Sequence, residues 1–333
     1  MSDAIVIEGL TKTFGPKVAV DDVSLRIPAG TVCGFIGPNG AGKTTTIRMI
    51  MSIIFPDRGR IEVLGRSSAI ESKDRIGYLP EERGVYRKMR VTNFLTYMAR
   101  LKGVDSRGLK DKIRVWLDRV GLADAARKRC EELSKGMQQK VQFLAAVLHE
   151  PDLLILDEVF SGLDPVNRRL MRQLIDEQHR LGRTIIFSTH NMYEAEQLCD
   201  RIFMIHHGRK MLDASLREIL ARFDPRAVLV EPMSDDGIEA IRAVDGIADV
   251  VRGVGAGARN HVYEAKLEEG VEASAALARI AAAVPVRRLE LKRVNLEDVF
   301  IELVERSGER PPSREELSDA AAAAAAEEAT ANV

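Results

Sequence analysis

Residues Gly37–Thr44 read GPNGAGKT, and this stretch decides how the longer part of the chain folds. A short apolar run at 31–37, TVCGFIG, precedes it, and the segment 43–54, KTTTIRMIMSII, has apolar residues at helical spacing. A strand, a glycine-rich turn and a helix in this order match the pattern G-x-x-x-x-G-K-[ST]. Backbone N–H groups of such a turn converge on phosphate at the N-terminus of the helix. The sequence therefore predicts a phosphate-binding loop.

The side chains of this loop are expected to bind different parts of a nucleotide. Lys43 is expected to reach the β- and γ-phosphates of a nucleotide, and the hydroxyl of Thr44 is expected to ligate Mg²⁺; this loop alone is compatible with kinases, GTPases and ATPases. A purely structural glycine turn would not require the lysine and the threonine at these positions. We expect the following residues to contact the nucleotide: Gly37, Pro38, Asn39, Gly40, Ala41, Gly42, Lys43, Thr44 and Thr45.

Two adjacent carboxylates follow another apolar run, DLLIL at 152–156. Asp157 ends this predicted strand and is expected to hold Mg²⁺. Glu158 comes next and is expected to act as a base or to position the attacking water. Either residue alone fits a surface position at a strand end, but the pair together with a phosphate loop favours a catalytic site.

Composition excludes several other classes of protein. The 333 residues are 45% hydrophobic and 30% charged, and the net charge of −1 gives no general attraction to DNA, RNA or an anionic bilayer. Cys33, Cys130 and Cys199 form no CxxC pair, which argues against a zinc site and fits a reducing compartment. No signal peptide and no run of about 20 apolar residues is present, so we expect a cytoplasmic protein without a nucleic-acid partner.

The order of strand and helix signals divides the chain. Strands alternate with helices over 1–222, which indicates an α/β sheet, and a mostly helical part covers about 90–150, where Thr92 is a candidate N-cap. Residues 223–306 have the order β-α-β-β-α-β of a small ferredoxin-like α+β domain, closed by a helix. Residues 307–333 are rich in Ala and Glu, and we expect a disordered tail.

A further motif narrows the family. Residues 133–140, LSKGMQQK, resemble the LSGGQ signature of ABC (ATP-binding cassette) ATPases, and 161–164, SGLD, resemble their D-loop. His190 lies where the family has its switch histidine, and Phe14 lies where an aromatic residue stacks on adenine. The resemblance covers residues 3–220 and implies the P-loop NTPase cassette fold. In that fold a mixed core sheet carries an antiparallel β subdomain and a helical subdomain.

The resemblance also implies how the site is completed. Cassettes of this family work as head-to-tail dimers with two ATP molecules between them. Ser134 and Gly136 would contact the γ-phosphate bound by a second copy, Asp164 would lie along the seam, and His190 would hold the γ-phosphate and the attacking water. A role for Ser134 as a simple N-cap is compatible with this interpretation.

The chain departs from the family pattern in a few positions. Lys135 and Met137 replace a glycine and the glutamine of the signature, and Val159-Phe160 replace the usual Pro-Thr. Glu81, in YLPEER at 78–83, falls where the family has a glutamine that touches Mg²⁺ and water. A carboxylate can also ligate Mg²⁺, but it repels phosphate when the metal is absent. We therefore expect Glu81 to make nucleotide binding more metal-dependent, and Glu82 to be solvated or to face a partner.

The resemblance further implies a transport function. Residues 223–305 resemble the accessory domain of ABC-2 type exporter subunits, such as those for drug resistance or sodium extrusion. A homodimer would then drive a separate integral membrane permease subunit, and the chain would lie at the inner face of the cell membrane. The alternatives are a soluble ABC ATPase of translation or DNA repair, which usually has two cassettes or a long coiled coil, and a small-molecule kinase, which the signature opposes.

Overall fold

The computed structural model describes residues 2–82, 84–234, 237–252 and 262–308. The predicted tail lies outside this part of the chain from residue 309 onward. The chain forms two compact units, one with residues up to Leu216 and again from Phe300, and one with Arg217–Val299. This division differs from the predicted boundary at 222/223 and from a second domain reaching 306. The return at Phe300 has a physical basis, because its ring is buried edge-on against the ring of His206 in the first unit.

The first unit contains strands and helices with the following bounds: β1 Asp3–Phe14, β2 Lys17–Pro28, β3 Val32–Ile36, α1 Lys43–Ile50, β4 Arg58–Val63, β5 Ile76–Leu79, α2 Val91–Leu101, α3 Leu109–Arg119, α4 Lys135–Val147, β6 Leu153–Asp157, α5 Pro165–Arg180, β7 Thr184–Thr189, α6 Met192–Leu198, β8 Arg201–His206 and β9 Arg209–Ser215.

The main sheet of this unit has the strand order β5-β6-β7-β3-β8-β9, in which only β9 runs antiparallel to its neighbour. Every residue of β3, β6 and β7 is buried, as expected for a parallel sheet that is covered on both faces. The carboxyl ends of these three strands lie at one edge of the sheet. The phosphate loop, the Asp157–Glu158 pair and His190 follow these ends, so the sheet topology brings them together.

A smaller antiparallel sheet has the order β2-β1-β4, and α2, α3 and α4 form the predicted helical part. The mixed core sheet, the antiparallel sheet and the helical part confirm the predicted fold class for the first unit.

Two local predictions were wrong. Helix α1 ends at Ile50 rather than Ile54, because Ser52 has a left-handed φ of 55°. Thr92 is not the N-cap of α2, because the helix begins at Val91 and Arg90 occupies the N-cap position. The first amides of α2 are instead bonded by distant carbonyls: Val91 N–H donates to Lys128 O and Thr92 N–H to Ala126 O.

The second unit and its flanking helices have these bounds: α7 Leu216–Arg222, β10 Ala227–Pro232, α8 Gly237–Arg242, β11 Ile247–Arg252, β12 Tyr263–Leu267, α9 Ala273–Ala283, β13 Val286–Leu291 and α10 Leu296–Arg306. Its antiparallel sheet has the order β11-β12-β10-β13. The predicted β-α-β-β-α-β order is therefore present among the described residues.

Candidate nucleotide site

The phosphate loop joins the end of β3 to the start of α1 and is shaped by glycines. Gly37 has a φ of 154°, and a Cβ at this position would lie 2.1 Å from the carbonyl oxygen of Ile205. Gly42 has a φ of 109°, and its Cβ would lie 2.6 Å from the carbonyl oxygen of Ala19. No other residue fits either position without moving backbone atoms. The loop backbone is therefore held open at the N-terminus of α1, where an anion binds best.

Lys43 is the first residue of α1, and its side chain is only 5% exposed. Its Nζ donates to the carbonyl oxygens of Gly37 at 2.7 Å and Pro38 at 3.1 Å, and lies 3.8 Å from Glu158 Oε1. Burial lowers the pKa of Lys43, while the negative charges of Glu158, Asp157 and Glu81 oppose that shift. The ammonium group is thus held on the loop by carbonyl oxygens that phosphate oxygens can replace.

Asp157 ends β6 and is fully buried beside this loop. Its Oδ1 accepts a hydrogen bond from Ser188 Oγ at 2.5 Å, whereas Oδ2 has no hydrogen-bond partner among the described residues. Burial raises the pKa of Asp157, and the hydrogen bond from Ser188 opposes the shift. A buried carboxylate oxygen without a partner, next to the Thr44 hydroxyl, suits a hard cation such as Mg²⁺. These two residues could therefore hold the metal, as predicted from the sequence.

Glu158 and His190 form a hydrogen-bonded pair at the same edge of the sheet. Glu158 adopts a left-handed φ of 48°, and its N–H donates to Ser188 O at 3.1 Å. The Glu158 side chain reaches His190, whose Nδ1 donates to Glu158 Oε1 at 3.1 Å. The hydrogen bond to Glu158 raises the pKa of His190, and burial of the ring opposes the shift. A carboxylate held by both a histidine and a lysine can act as a positioned base.

Most of the predicted site residues line one cavity of about 310 Å³. It is lined by Phe14, Lys17, Ala19, Asn39, Gly40, Gly42, Lys43, Thr44, Thr45, Glu81 and Glu158. Phe14, at the end of β1, is 50% exposed and is therefore accessible for stacking with a planar base. A larger cavity of about 760 Å³ lies at the opposite edge of the main sheet, beside Asp152 and Thr184, where the strands begin. Neither the phosphate loop nor the acidic pair lines that larger cavity.

Ser134, Gly136 and Asp164 occupy a different surface and do not line the cavity of their own chain. Ser134 is the N-cap of α4, and its Oγ accepts from Met137 N–H at 3.4 Å. Asp164 is the N-cap of α5, with Oδ1 accepting from the N–H groups of Val166 and Asn167, and these bonds lower its pKa. A Cβ on Gly136 would lie 3.4 Å from Asn167 Nδ2, so the starts of α4 and α5 are adjacent.

Sequence reasoning missed several residues of the site. Lys17 lines the cavity, and Ser188 bonds Asp157. Ser188 was detectable in principle, because it pairs in register with Asp157 in the parallel sheet and lies in the FSTH stretch.

Gln142 of α4 donates to the backbone carbonyl of Glu82 at 3.4 Å, which links this helix to the loop that carries Glu81. The Glu82 side chain is 86% exposed and forms an ion pair with Arg48.

Comparison with known families matches two parts of the chain. The family described as ABC transporter matches residues 20–161, and the family described as ATP-binding protein DrrA1-3-like, C-terminal domain, matches residues 215–304. No helix in the described ranges has both the length and the apolar character that crossing a bilayer requires.

Known proteins are similar over most of the chain. An uncharacterized ABC transporter ATP-binding protein, YhaQ of Bacillus subtilis (strain 168), is 39% identical over 300 residues, covering 90% of this chain and 98% of YhaQ. Nod factor export ATP-binding protein I of Sinorhizobium fredii (strain NBRC 101917 / NGR234) is 36% identical over 71% of this chain and 67% of that protein. A solved ATP-binding subunit of an ABC transporter has a TM-score of 0.62 at 30% identity, covering 66% of this chain and 93% of that chain.

Proposed function

Because the chain belongs to the family of ATP-binding subunits of ABC transporters, which hydrolyse ATP, we propose that it powers an exporter through a separate integral membrane permease subunit. The main support for this proposal is the match of residues 215–304 to the DrrA1-3-like C-terminal domain. A similar protein named for Nod factor export supports it as well. The comparisons give no support to the alternative of a soluble ATPase of translation or DNA repair. On this proposal the chain works at the inner face of the cell membrane, held there by the permease.

The site residues have distinct tasks in this proposal. Phe14 stacks on adenine, Gly37–Thr45 bind the phosphates, and Lys43 balances the charge of the β- and γ-phosphates. Thr44, Asp157 and Glu81 would hold Mg²⁺, which when bound supplies positive charge to the phosphate oxygens. Water attacks the γ-phosphorus, the bond to the β–γ bridging oxygen breaks, and ADP leaves with phosphate as the other product.

Glu158 and His190 assist that step. The Glu158 carboxylate accepts the proton of the attacking water, and His190 orients the carboxylate through the 3.1 Å hydrogen bond. When protonated, His190 would also attract the γ-phosphate.

The working unit in this proposal is a dimer of the chain. Ser134 and Gly136 do not line the cavity of their own chain, whereas the N-terminus of α4 carries a partial positive charge that suits phosphate. Two copies arranged head to tail would bring Ser134, Gly136 and Asp164 of one copy to the ATP of the other. ATP would hold the dimer together, and hydrolysis would release it.

Glu81 gives a prediction about metal dependence. Glu81 lines the cavity, and its negative charge acts to raise the pKa of Lys43. In EDTA the carboxylate is expected to repel ATP, so Glu81→Gln should bind ATP more tightly than the parent by about tenfold, which corresponds to roughly 1.4 kcal/mol. With excess Mg²⁺ the two proteins should bind ATP similarly.

Equilibrium titration of a fluorescent ATP analogue in EDTA and in Mg²⁺ measures this difference. Glu82→Gln is the matched control, because the neighbouring side chain is 86% exposed, and it should behave like the parent. If Glu81→Gln changes neither titration, Glu81 does not face the bound phosphates.

The proposed function is tested by purifying the tagged chain from detergent-solubilised membranes of its own cells. We expect a protein with several membrane spans to co-purify and to change the rate of ATP hydrolysis when both are reconstituted. Recovery with ribosomes or DNA, without any membrane protein, would contradict the proposal.

A further inference from the structure

Strand β1 is longer than the strand that pairs with one of its edges. Pairing of β1 with β4 stops at Thr11, opposite Arg58, and the N–H of Asp57 donates to Thr11 O at 2.8 Å. Thr13 lies beyond the end of β4, so no backbone group of β4 pairs with it. An unpaired strand edge needs another hydrogen-bonding partner or water.

The side chain of Asp57 supplies that partner. Its Oδ2 accepts from Thr13 N–H and from Thr13 Oγ1, each at 2.7 Å, and its Oδ1 accepts from Lys12 Nζ at 2.8 Å. These bonds lower the pKa of Asp57 to about 2, which favours the charged carboxylate that accepts them. The segment 12–13 is therefore clamped by a residue 44 positions away in the chain.

The next residue along β1 is Phe14, which lines the nucleotide cavity. Beyond it the chain turns at Gly15, where an added Cβ would meet no atom within 4 Å, so the turn projects into open space. Lys12 Nζ lies 5.6 Å from the centroid of the Phe14 ring, which couples the clamped lysine to the aromatic face. Phe14 thus pairs with Lys17 of β2 on one side, and Asp57 binds the two residues that precede it on the other side.

We propose that Asp57 is a positioning residue for the base of the nucleotide, because it holds the Lys12–Phe14 segment so that the Phe14 ring faces the mouth of the cavity. The inference rests on the proposed ATP site and extends it to a residue outside the cavity lining. Because Asp57 does not line the cavity, its contribution should depend on a ligand with a planar base.

The test compares two ligands, ATP and inorganic tripolyphosphate, which carries the phosphates without a base. Asp57→Ala is expected to weaken ATP binding by about fivefold to tenfold, within the range of base–aromatic stacking, and to leave tripolyphosphate binding unchanged. The KM for ATP should rise by the same factor while kcat at saturating ATP stays constant. Asp57→Asn should lose less, since the amide oxygen can still accept from Thr13.

A double-mutant cycle with Phe14→Ala separates positioning from general stability. If Asp57 acts through Phe14, then Asp57→Ala should have no further effect on ATP binding in the Phe14→Ala background. Asp3→Ala is the matched control, because Asp3 forms a 3.2 Å ion pair with Arg26 on the same pair of strands but does not line the cavity. It should bind both ligands like the parent.

The outcomes distinguish this inference from the proposed function. Equal weakening of ATP and tripolyphosphate binding, additive effects in the cycle, or unchanged ATP binding in Asp57→Ala would each overturn the role of Asp57. A parent protein that binds neither ligand would instead overturn the ATP site itself. Thermal unfolding shows whether each variant is folded. If Asp57→Ala is not folded, Asp57→Asn takes its place in the comparison of ATP with tripolyphosphate binding.

Discussion

Lys43→Ala is expected to weaken ATP binding by about 3 kcal/mol, a factor of roughly a hundred or more, and to remove measurable ATPase activity. The buried ammonium group of Lys43 donates directly to carbonyl oxygens of the loop that receives the phosphates. Its loss leaves the charges of Asp157 and Glu158 next to the incoming phosphates without the balancing lysine. Repulsion and the missing hydrogen bonds act in the same direction, so the effect should be large.

Isothermal titration calorimetry with ATP measures the loss, and thermal unfolding shows whether the variant is folded. Lys17→Ala is the control, because Lys17 also lines the cavity but is exposed on β2, where its charge is screened by water. Its affinity should fall far less. ATP binding by Lys43→Ala at the level of the parent would rule out the phosphate-loop assignment.

Glu158→Gln is expected to bind ATP with nearly the affinity of the parent and to lower kcat by about a hundredfold or more, the range for loss of a general base. Glutamine keeps the size of the side chain and an oxygen that accepts from His190, so the binding site should remain intact. It cannot take the proton of the attacking water. ATP should therefore persist in the site and hold two copies of the chain together.

Size-exclusion chromatography with light scattering, in ATP and Mg²⁺, measures this trapped dimer. Two controls use the same chain: ADP in place of ATP, and the double variant Lys43→Ala/Glu158→Gln, which should not bind ATP. Both should elute as monomers. A Glu158→Gln protein that binds ATP but stays monomeric would contradict the head-to-tail dimer, and one that hydrolyses ATP at the parent rate would remove Glu158 as the base.

Short motifs in the sequence predicted much of the site because their geometry is local. The phosphate loop needs glycine at Gly37 and Gly42, where the backbone leaves no room for a side chain. The cap at Ser134 bonds an amide three residues away, so it also follows from sequence alone. The α2 cap was missed because its amides are bonded by carbonyls of 126–128, more than 30 positions away.

The sequence by itself determined the strand–loop–helix unit, the acidic pair after an apolar strand, the signature segment and the order of elements in the second unit. Each of these depends on neighbouring residues and on periodicity. Only the tertiary structure decided that Ser188 bonds Asp157, that His190 holds Glu158, and that Asp57 clamps the segment before Phe14. These contacts join residues 31, 32 and 44 positions apart, and they form because strand order and register bring those positions together.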